Sequence, residues 1–322
     1  MADAPFRTSP SAIARHFFHD CERFLRFHAA GPELQRKEGI PQREFDHSPL
    51  VKALLESGYG WEQVVLAEYL AGRVLIAAGD GPSHTRRFDW PETLDLLRTA
   101  EPGTWLYQPT LHLPPAFYSR YGIDASLVTV SDNHPDLIAV SADEEGNRRL
   151  KLIDLKRGES LQLTHRVQVL LYALELDTIV RDERIAAAVD LDTGAVWLGG
   201  QPEPTEFPLG DFRPHLEGFL RHDLVRVLRT EAHQARWHVQ SRCEWCEFFR
   251  HCWSEMQRTD DLSRLAQLTP WGKRFLWERV GVRSTAELGR FLQQPDADET
   301  LARCASLAGR RPRLAKQVAA LA

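Results

Sequence analysis

The sequence predicts an α/β core followed by a small helical module. Three observations carry this. Helix-like periods dominate residues 9–100, and strand-like runs fill about 104–157. A long helical run then crosses over to another strand pair. Residues 261–322 return to helix, with breaks at Pro270, Gly281, Pro295 and Pro312.

At 322 residues, 43% hydrophobic and 26% charged, the chain is long enough for one sizeable core and a smaller module. The formal net charge of −5 gives no global basic signal for nucleic acid. A sum of charges is a weak guide here, because an acidic metal site and a basic groove cancel in it. No run approaches the roughly 18 apolar residues that span a membrane. The start, MADAPFRTSPSAIARHF, lacks the apolar core of a signal peptide, so the expectation is a cytoplasmic protein without a membrane partner. Five cysteines, odd in number and unevenly placed, fit a metal site better than a disulfide framework.

Taken in order, Ser9-Pro10 reads as a cap followed by proline in the first helical turn, and the helix is expected to run through Ile13, Phe17, Cys21 and Leu25. Residues 31–49 are polar and read as a loop. SPLVKALLESGYGWEQVVLAEYLAGRVL is helical with a break expected near Gly58-Tyr59-Gly60, and 91–100 form a short helix. Strands are expected in TWLYQPTLHL, ASLVTV, DLIAV and RLKLIDLK, followed by a helix over roughly 162–176. IAAAVDLDTGAVWLG reads as a hairpin turning at Asp192-Thr193-Gly194. FRPHLEGFLRHDLVRVLRTEA is helical and leads into HVQSRCEWCEFFRHCW.

The chemistry begins at HPDLIAVSADEEGNRRLKLIDLKRG. DEEGN is a turn signal between two strands. Paired residues of an antiparallel hairpin have a constant sum of numbers. Asp136 and Asp154 sum to 290, which centres the turn at 145, inside DEEGN. Opposed like charges about 5 Å apart destabilise a sheet. A divalent cation between them relieves the repulsion, and hard oxygen ligands suit magnesium or manganese. Lys156, two residues past Asp154, points to the same face. An ammonium there can orient a water and stabilise charge developing on phosphorus-bound oxygens. On the next helix His165, Gln168 and Tyr172 form one polar stripe.

PDLIAV, IDLK and THRVQVLLYA together resemble the RecB-type branch of the PD-(D/E)xK nucleases, including its QxxxY helix. The resemblance implies a restriction-endonuclease-like core, a mixed central sheet flanked by helices. It implies that Asp136 and Asp154 bind a catalytic Mg²⁺ or Mn²⁺, that Lys156 acts on the attacking water, and that Gln168 and Tyr172 serve the site. The family also carries an acidic residue on an early helix. GYGWEQVV offers Glu62, with Glu56 and Glu68 as competitors.

CEWCEFFRHC places Cys243 and Cys246 as CxxC with Cys252 close behind, a strong metal signal that needs a fourth ligand. Cys304 is available, but the resemblance points to Cys21. In AddB-like and CRISPR-adaptation nucleases one N-terminal and three C-terminal cysteines hold a 4Fe–4S cluster. Four thiolates suit either such a cluster or structural zinc. A site using Cys21 joins positions more than two hundred residues apart, and so acts as a clasp.

From Asp261 to Ala322 there are eleven Lys and Arg against six Asp and Glu, a local balance of +5. LAQLTPWGKRFLWERVGVRSTAEL resembles a helix-hairpin-helix module, which implies backbone contact with DNA phosphates. The usual pair of hairpin glycines is reduced to Gly272, and a helical module that braces the core is the competing expectation.

The expected organisation is a nuclease domain over 1–258, closed by the four cysteines, and a helical module over 259–322. The expected activity is metal-dependent hydrolysis of DNA, on single-stranded or end-containing substrates, in repair, recombination or defence. The expected partners are DNA and a helicase or other repair or defence protein. The rivals are a non-catalytic DNA-binding module and a zinc-stabilised structural subunit of such a complex.

Overall fold

The computed structural model describes residues 5–44 and 49–321. By contact density these divide into two compact units. The first is built mainly from the stretch up to Phe18, residues 28–38 and the run to Glu231; the second joins 19–27 and 39–45 to everything from Ala232 onward.

The first unit is mixed α/β. Strands β1 (Phe6–Thr8), β2 (Val74–Leu75), β3 (Trp105–Tyr107), β4 (Val128–Val130), β5 (Leu137–Ala142), β6 (Arg148–Lys156), β7 (Ala188–Val189), β8 (Thr193–Leu198) and β9 (Thr205–Pro208) are joined by helices. Seven strands form one mixed sheet in the order β2-β3-β5-β6-β8-β9, with β7 also on β6. The β3–β5, β5–β6 and β8–β9 pairs are antiparallel; β2–β3, β6–β7 and β6–β8 are parallel. Contrary to the even run of strands expected over 104–157, β4 stands outside this sheet and pairs with β1, and a helix, Pro115–Tyr121, lies between β3 and β4.

The β5–β6 hairpin is set by its turn. Asp143 Oδ1 accepts from the backbone N–H of Glu145 and Asn147, and Gly146 takes a left-handed φ of 85°. The resulting ladder pairs Leu137 with Ile153 and Ile138 with Leu152. Its number sum is 290, the value read from the sequence.

The helices before β7 are α1 (Pro10–His19), α2 (Glu22–Ala29), α3 (Pro32–Glu38), α4 (Pro49–Val64), α5 (Trp90–Thr99), α6 (Pro115–Tyr121) and α7 (Leu163–Asp182), of which α2 belongs mostly to the second unit. Trp61 of α4, with Val65 and Leu66 just after it, packs with Ile153 and Leu155 of β6. α7 packs against β6, β7 and β8, and its residues are almost all buried from Val169 to Val180.

Several local expectations are corrected. The expected loop over 31–49 contains α3; its residues 45–48 lie outside the described residues. α4 runs unbroken through Gly58-Tyr59-Gly60 and continues as a π-turn at Val65–Tyr69. The first helix breaks at Asp20, whose φ of 48° is left-handed, so Cys21 sits between two helices. Asp192-Thr193-Gly194 makes no hairpin. β7 and β8 both pair parallel with β6, collinear pieces separated where Asp190 accepts from Thr193 N–H and hydroxyl. Gly194 is needed for packing: a Cβ there would come within 2.6 Å of Val169 on α7.

The chain continues through α8 (Arg213–Gly218) and α9 (Leu224–Arg229) into the second unit, with α10 (Phe249–Arg258), α11 (Pro270–Phe275), α12 (Thr285–Phe291), α13 (Ala297–Ala302) and α14 (Arg311–Leu321). Leu262, Leu265, Leu268, Leu276, Leu288 and Leu301 centre its core. The helical tail therefore shares a unit with the cysteine segments, on both sides of the boundary drawn at 258 from sequence. No described helix is long and apolar enough to cross a membrane.

Candidate functional site

Continuing the β5–β6 register by one step sets Asp136 opposite Asp154, at the end of the hairpin beside β3 and α4. Asp154 is 2% exposed. Its Oδ1 accepts from Lys156 Nζ at 2.8 Å. Its Oδ2 is as near to the ammonium but poorly aligned with it, and is left buried without a hydrogen bond. Asp136 Oδ2 accepts from the Leu155 backbone N–H at 2.7 Å and lies 3.8 Å from Lys156 Nζ. The ammonium thus sits between two carboxylates.

The charges respond to one another. Burial pushes the Asp136 carboxyl up to about 7; Lys156 opposes this, while Asp154 reinforces it. Burial works against the Lys156 charge, but Asp154 and then Asp136 outweigh it and hold the ammonium above its usual range. In this arrangement Lys156 is a cation and a donor, not a base.

Glu62 is brought to the same place by α4. Its Oε2 accepts from the Tyr107 hydroxyl at 2.6 Å. Burial raises its carboxyl, Tyr107 lowers it, and Asp136 and Lys156 are both near enough to act on it. The competitors are elsewhere: Glu56 is exposed and paired with Lys52, and Glu68 is exposed. Tyr107 escaped the sequence reading. The available signal was alternation in TWLYQ, which points it inward with Trp105 and leaves a buried hydroxyl in need of a partner. The amide of Gln108 also donates to that hydroxyl at 3.1 Å.

The stripe on α7 is largely covered: His165 and Tyr172 are buried and Gln168 is half-buried. Gln168 donates to the Tyr172 hydroxyl at 3.2 Å. Burial and then Asp154 raise the Tyr172 phenol, which keeps it a neutral donor. His165 Nδ1 accepts from the Gln162 N–H at 3.3 Å, which leaves the proton on Nε2. Burial and the nearby Lys156 push this imidazole down to about 4, so it is uncharged at neutral pH.

Three carboxylates gathered at one end of a sheet fit a hard divalent cation. The buried Oδ2 of Asp154 is the specific sign: it has the ammonium beside it but no aligned hydrogen bond, and a metal would complete its coordination. Asp154 Oδ1, Asp136 Oδ2 and Glu62 Oε2 each accept from a protein donor in this geometry, and no described group of three His, Cys, Asp or Glu is already arranged to hold a metal.

The second feature lies wholly in the other unit. Cys21, Cys243, Cys246 and Cys252 line one cavity, with Arg23 and Trp237 in its wall. All four thiols are raised by burial; Cys246 reaches about 12, and Cys21 feels Cys252 next after burial. Four thiols crowded around one cavity are poor acids on their own, and a cation held between them reverses this. The donor set fits a tetrathiolate centre, zinc or iron–sulfur. Cys304 takes no part: it is 2% exposed in the leucine core of the tail.

The tail's TPWGK segment is spoken for internally. Thr269 caps α11 by accepting from the Gly272 N–H at 3.0 Å. A Cβ at Gly272 would meet Leu268 and Leu307 at 3.1 Å, so the glycine serves close packing. Lys273 points inward, with its side chain 3% exposed and paired to Asp261 at 2.7 Å. The Gly272 N–H and the Lys273 ammonium are both engaged within the unit.

The chain matches no known protein-family model, and no curated protein is similar to it at a meaningful level.

Proposed function

We propose that the chain is a metal-dependent deoxyribonuclease with a PD-(D/E)xK core of the RecB-like branch, carrying a separate tetrathiolate centre. The observation that carries this reading is the Asp136–Asp154–Lys156 cluster with Glu62 beside it, on a hairpin inside a mixed sheet. Sheets seldom bury two carboxylates and an ammonium together without a use for them, because such a cluster is costly to desolvate.

Asp136, Asp154 and Glu62 would hold Mg²⁺ or Mn²⁺, which when bound supplies positive charge to a phosphate oxygen. The chain's own residues do the rest. Lys156 donates toward the attacking water or the phosphate and stabilises the charge that builds on the phosphate oxygens. Tyr107 holds the Glu62 carboxylate in place. Gln168 and Tyr172 present neutral donors beside Asp154. A water oxygen forms the new bond to phosphorus and gives up a proton to solvent, and the sugar oxygen leaves with the old bonding pair and takes up a proton from solvent.

Single- and double-stranded labelled DNA, incubated with Mg²⁺ or Mn²⁺, tests the reading. Metal-dependent cleavage lost in Asp154→Ala supports it. Binding of DNA without cleavage would favour the non-catalytic alternative, and stoichiometric zinc without either activity would favour a structural subunit.

A further inference from the structure

We propose that Arg23 is a positioning residue of the cysteine-lined site: its buried guanidinium sets a fixed positive charge and an unused N–H donor against the sulfur ligands and stabilises their metal-bearing state. This rests on the reading of the four cysteines as a metal centre.

Arg23 stands two residues after Cys21 at the start of α2 and lines the same cavity as the cysteines. It is 2% exposed, which is rare for arginine. Two of its nitrogens form a fork on Glu255, at 2.8 and 3.2 Å. Its Cζ lies 4.2 Å from the Trp237 ring centre. Burial raises the Cys252 thiol, and the Arg23 guanidinium is near enough to oppose that rise. Its Nε–H remains buried with no partner. A buried donor left open in the wall of a thiol-lined cavity has one kind of acceptor in prospect, a sulfur carrying negative charge.

The charges are arranged for this. Behind the cavity Arg23 pairs with Glu255, whose carboxylate also has His251 at 3.4 Å, and Lys273 pairs with Asp261. The pair with Glu255 is oriented. The arginine side chain is 2% exposed and the glutamate 22%, so the cationic end is sealed in and the anionic end reaches water. A centre of four thiolates carries net negative charge with either zinc or a 4Fe–4S core, and the sealed end faces it. Lys273 Nζ, 4.1 Å from the Trp237 ring centre, braces the ring from the tail.

Wild type, Arg23→Gln and Glu255→Gln are purified anaerobically. Metal and sulfide per chain, the visible spectrum, and the rate of metal loss to a chelator are measured. Arg23→Gln is expected to lose metal about 10–100-fold faster than wild type, the usual range for a group supporting metal ligands. Glu255→Gln keeps the arginine and its packing but removes the compensating anion, so it is expected to hold metal as tightly or tighter, with a shifted spectrum. A purely structural ion pair predicts the opposite, equal loosening in both, and that result overturns the proposal. So does an Arg23→Gln protein that keeps its metal as wild type does. If Arg23→Gln does not fold, Glu255→Gln decides alone. Wild type carrying neither metal nor sulfide removes the cysteine reading and the proposal with it, whereas metal in wild type with unchanged variants removes the proposal only.

Discussion

At the scale of single residues, the opposed pair at the end of the β5–β6 hairpin concentrates its consequences on Asp136. Its carboxyl is raised from 3.8 to about 7 by burial, with Asp154 adding to the shift. The folded chain then binds a proton more tightly than the unfolded one. This contribution to stability is fully present below about pH 4 and is lost as pH rises toward 7. Metal-free protein is therefore expected to melt at falling temperatures across that window, and Mn²⁺ should restore what is lost. The proton and the cation compete for the same oxygens, so Mn²⁺ affinity should climb over the same window, by up to about tenfold per pH unit. A flat titration by calorimetry would contradict the assignment. Asp154→Ala removes one of two facing charges, so its metal-free melting temperature should equal or exceed that of wild type while cleavage disappears. Lys156→Ala should keep metal binding and lose about 10²–10⁴ in rate. Loss of metal binding in that variant would show a structural role for the ammonium instead.

At the scale of elements, the β5–β6 hairpin was legible because everything that sets it is local. A turn sequence, two apolar runs and a constant sum locate the aspartates without knowledge of any other strand. The collinear β7 and β8 were not legible. Asp192-Thr193-Gly194 has turn chemistry, yet Asp190 uses it to bridge a gap between two strands pairing with the same neighbour. Gly194 signals contact with α7, which no local pattern announces. Gly194→Ala should destabilise by about 1–3 kcal/mol in a denaturant titration, since Val169 must move. The helix α7 hides a second surprise. Glu175 is fully buried, with Asn133 donating to one oxygen and the other oxygen bare. Burial raises this carboxyl well above its usual value despite Asn133, so the neutral acid is the folded form. The sign matches that of Asp136: the group costs stability once pH exceeds its unfolded value. Glu175→Gln should raise the melting temperature at neutral pH and change it little in acid. A variant that is destabilised equally at both pH values would show that the carboxyl itself is needed.

At the scale of the whole molecule, composition and order were enough for an α/β core with a helical end, but not for how the units divide. The boundary drawn at 258 follows sequence continuity, while packing follows the cysteine segments and groups them with the tail. Lys273 from α11 and Ser263 beside it are bound into the same buried set as Asp261. Truncation after residue 258 should therefore lower the melting temperature and the metal content together, because it takes away the leucine core and, with Lys273 and Ser263, the support under Trp237 and His238. Unchanged stability and metal content, with weaker DNA binding and a shallower salt dependence, would instead restore the DNA-contacting role for the tail. Cys243→Ser should bleach an iron–sulfur centre or release zinc, and Cys304→Ser should do neither. The central claim is catalytic, and one assay tests it most directly. Anaerobically purified wild type and Asp154→Ala are given labelled single- and double-stranded DNA while Mg²⁺ or Mn²⁺ is titrated. Cleavage that appears only with metal, and only in wild type, is the expected result. Metal-loaded wild type that leaves every DNA intact, or an Asp154→Ala variant that cuts at the wild-type rate, would contradict the account.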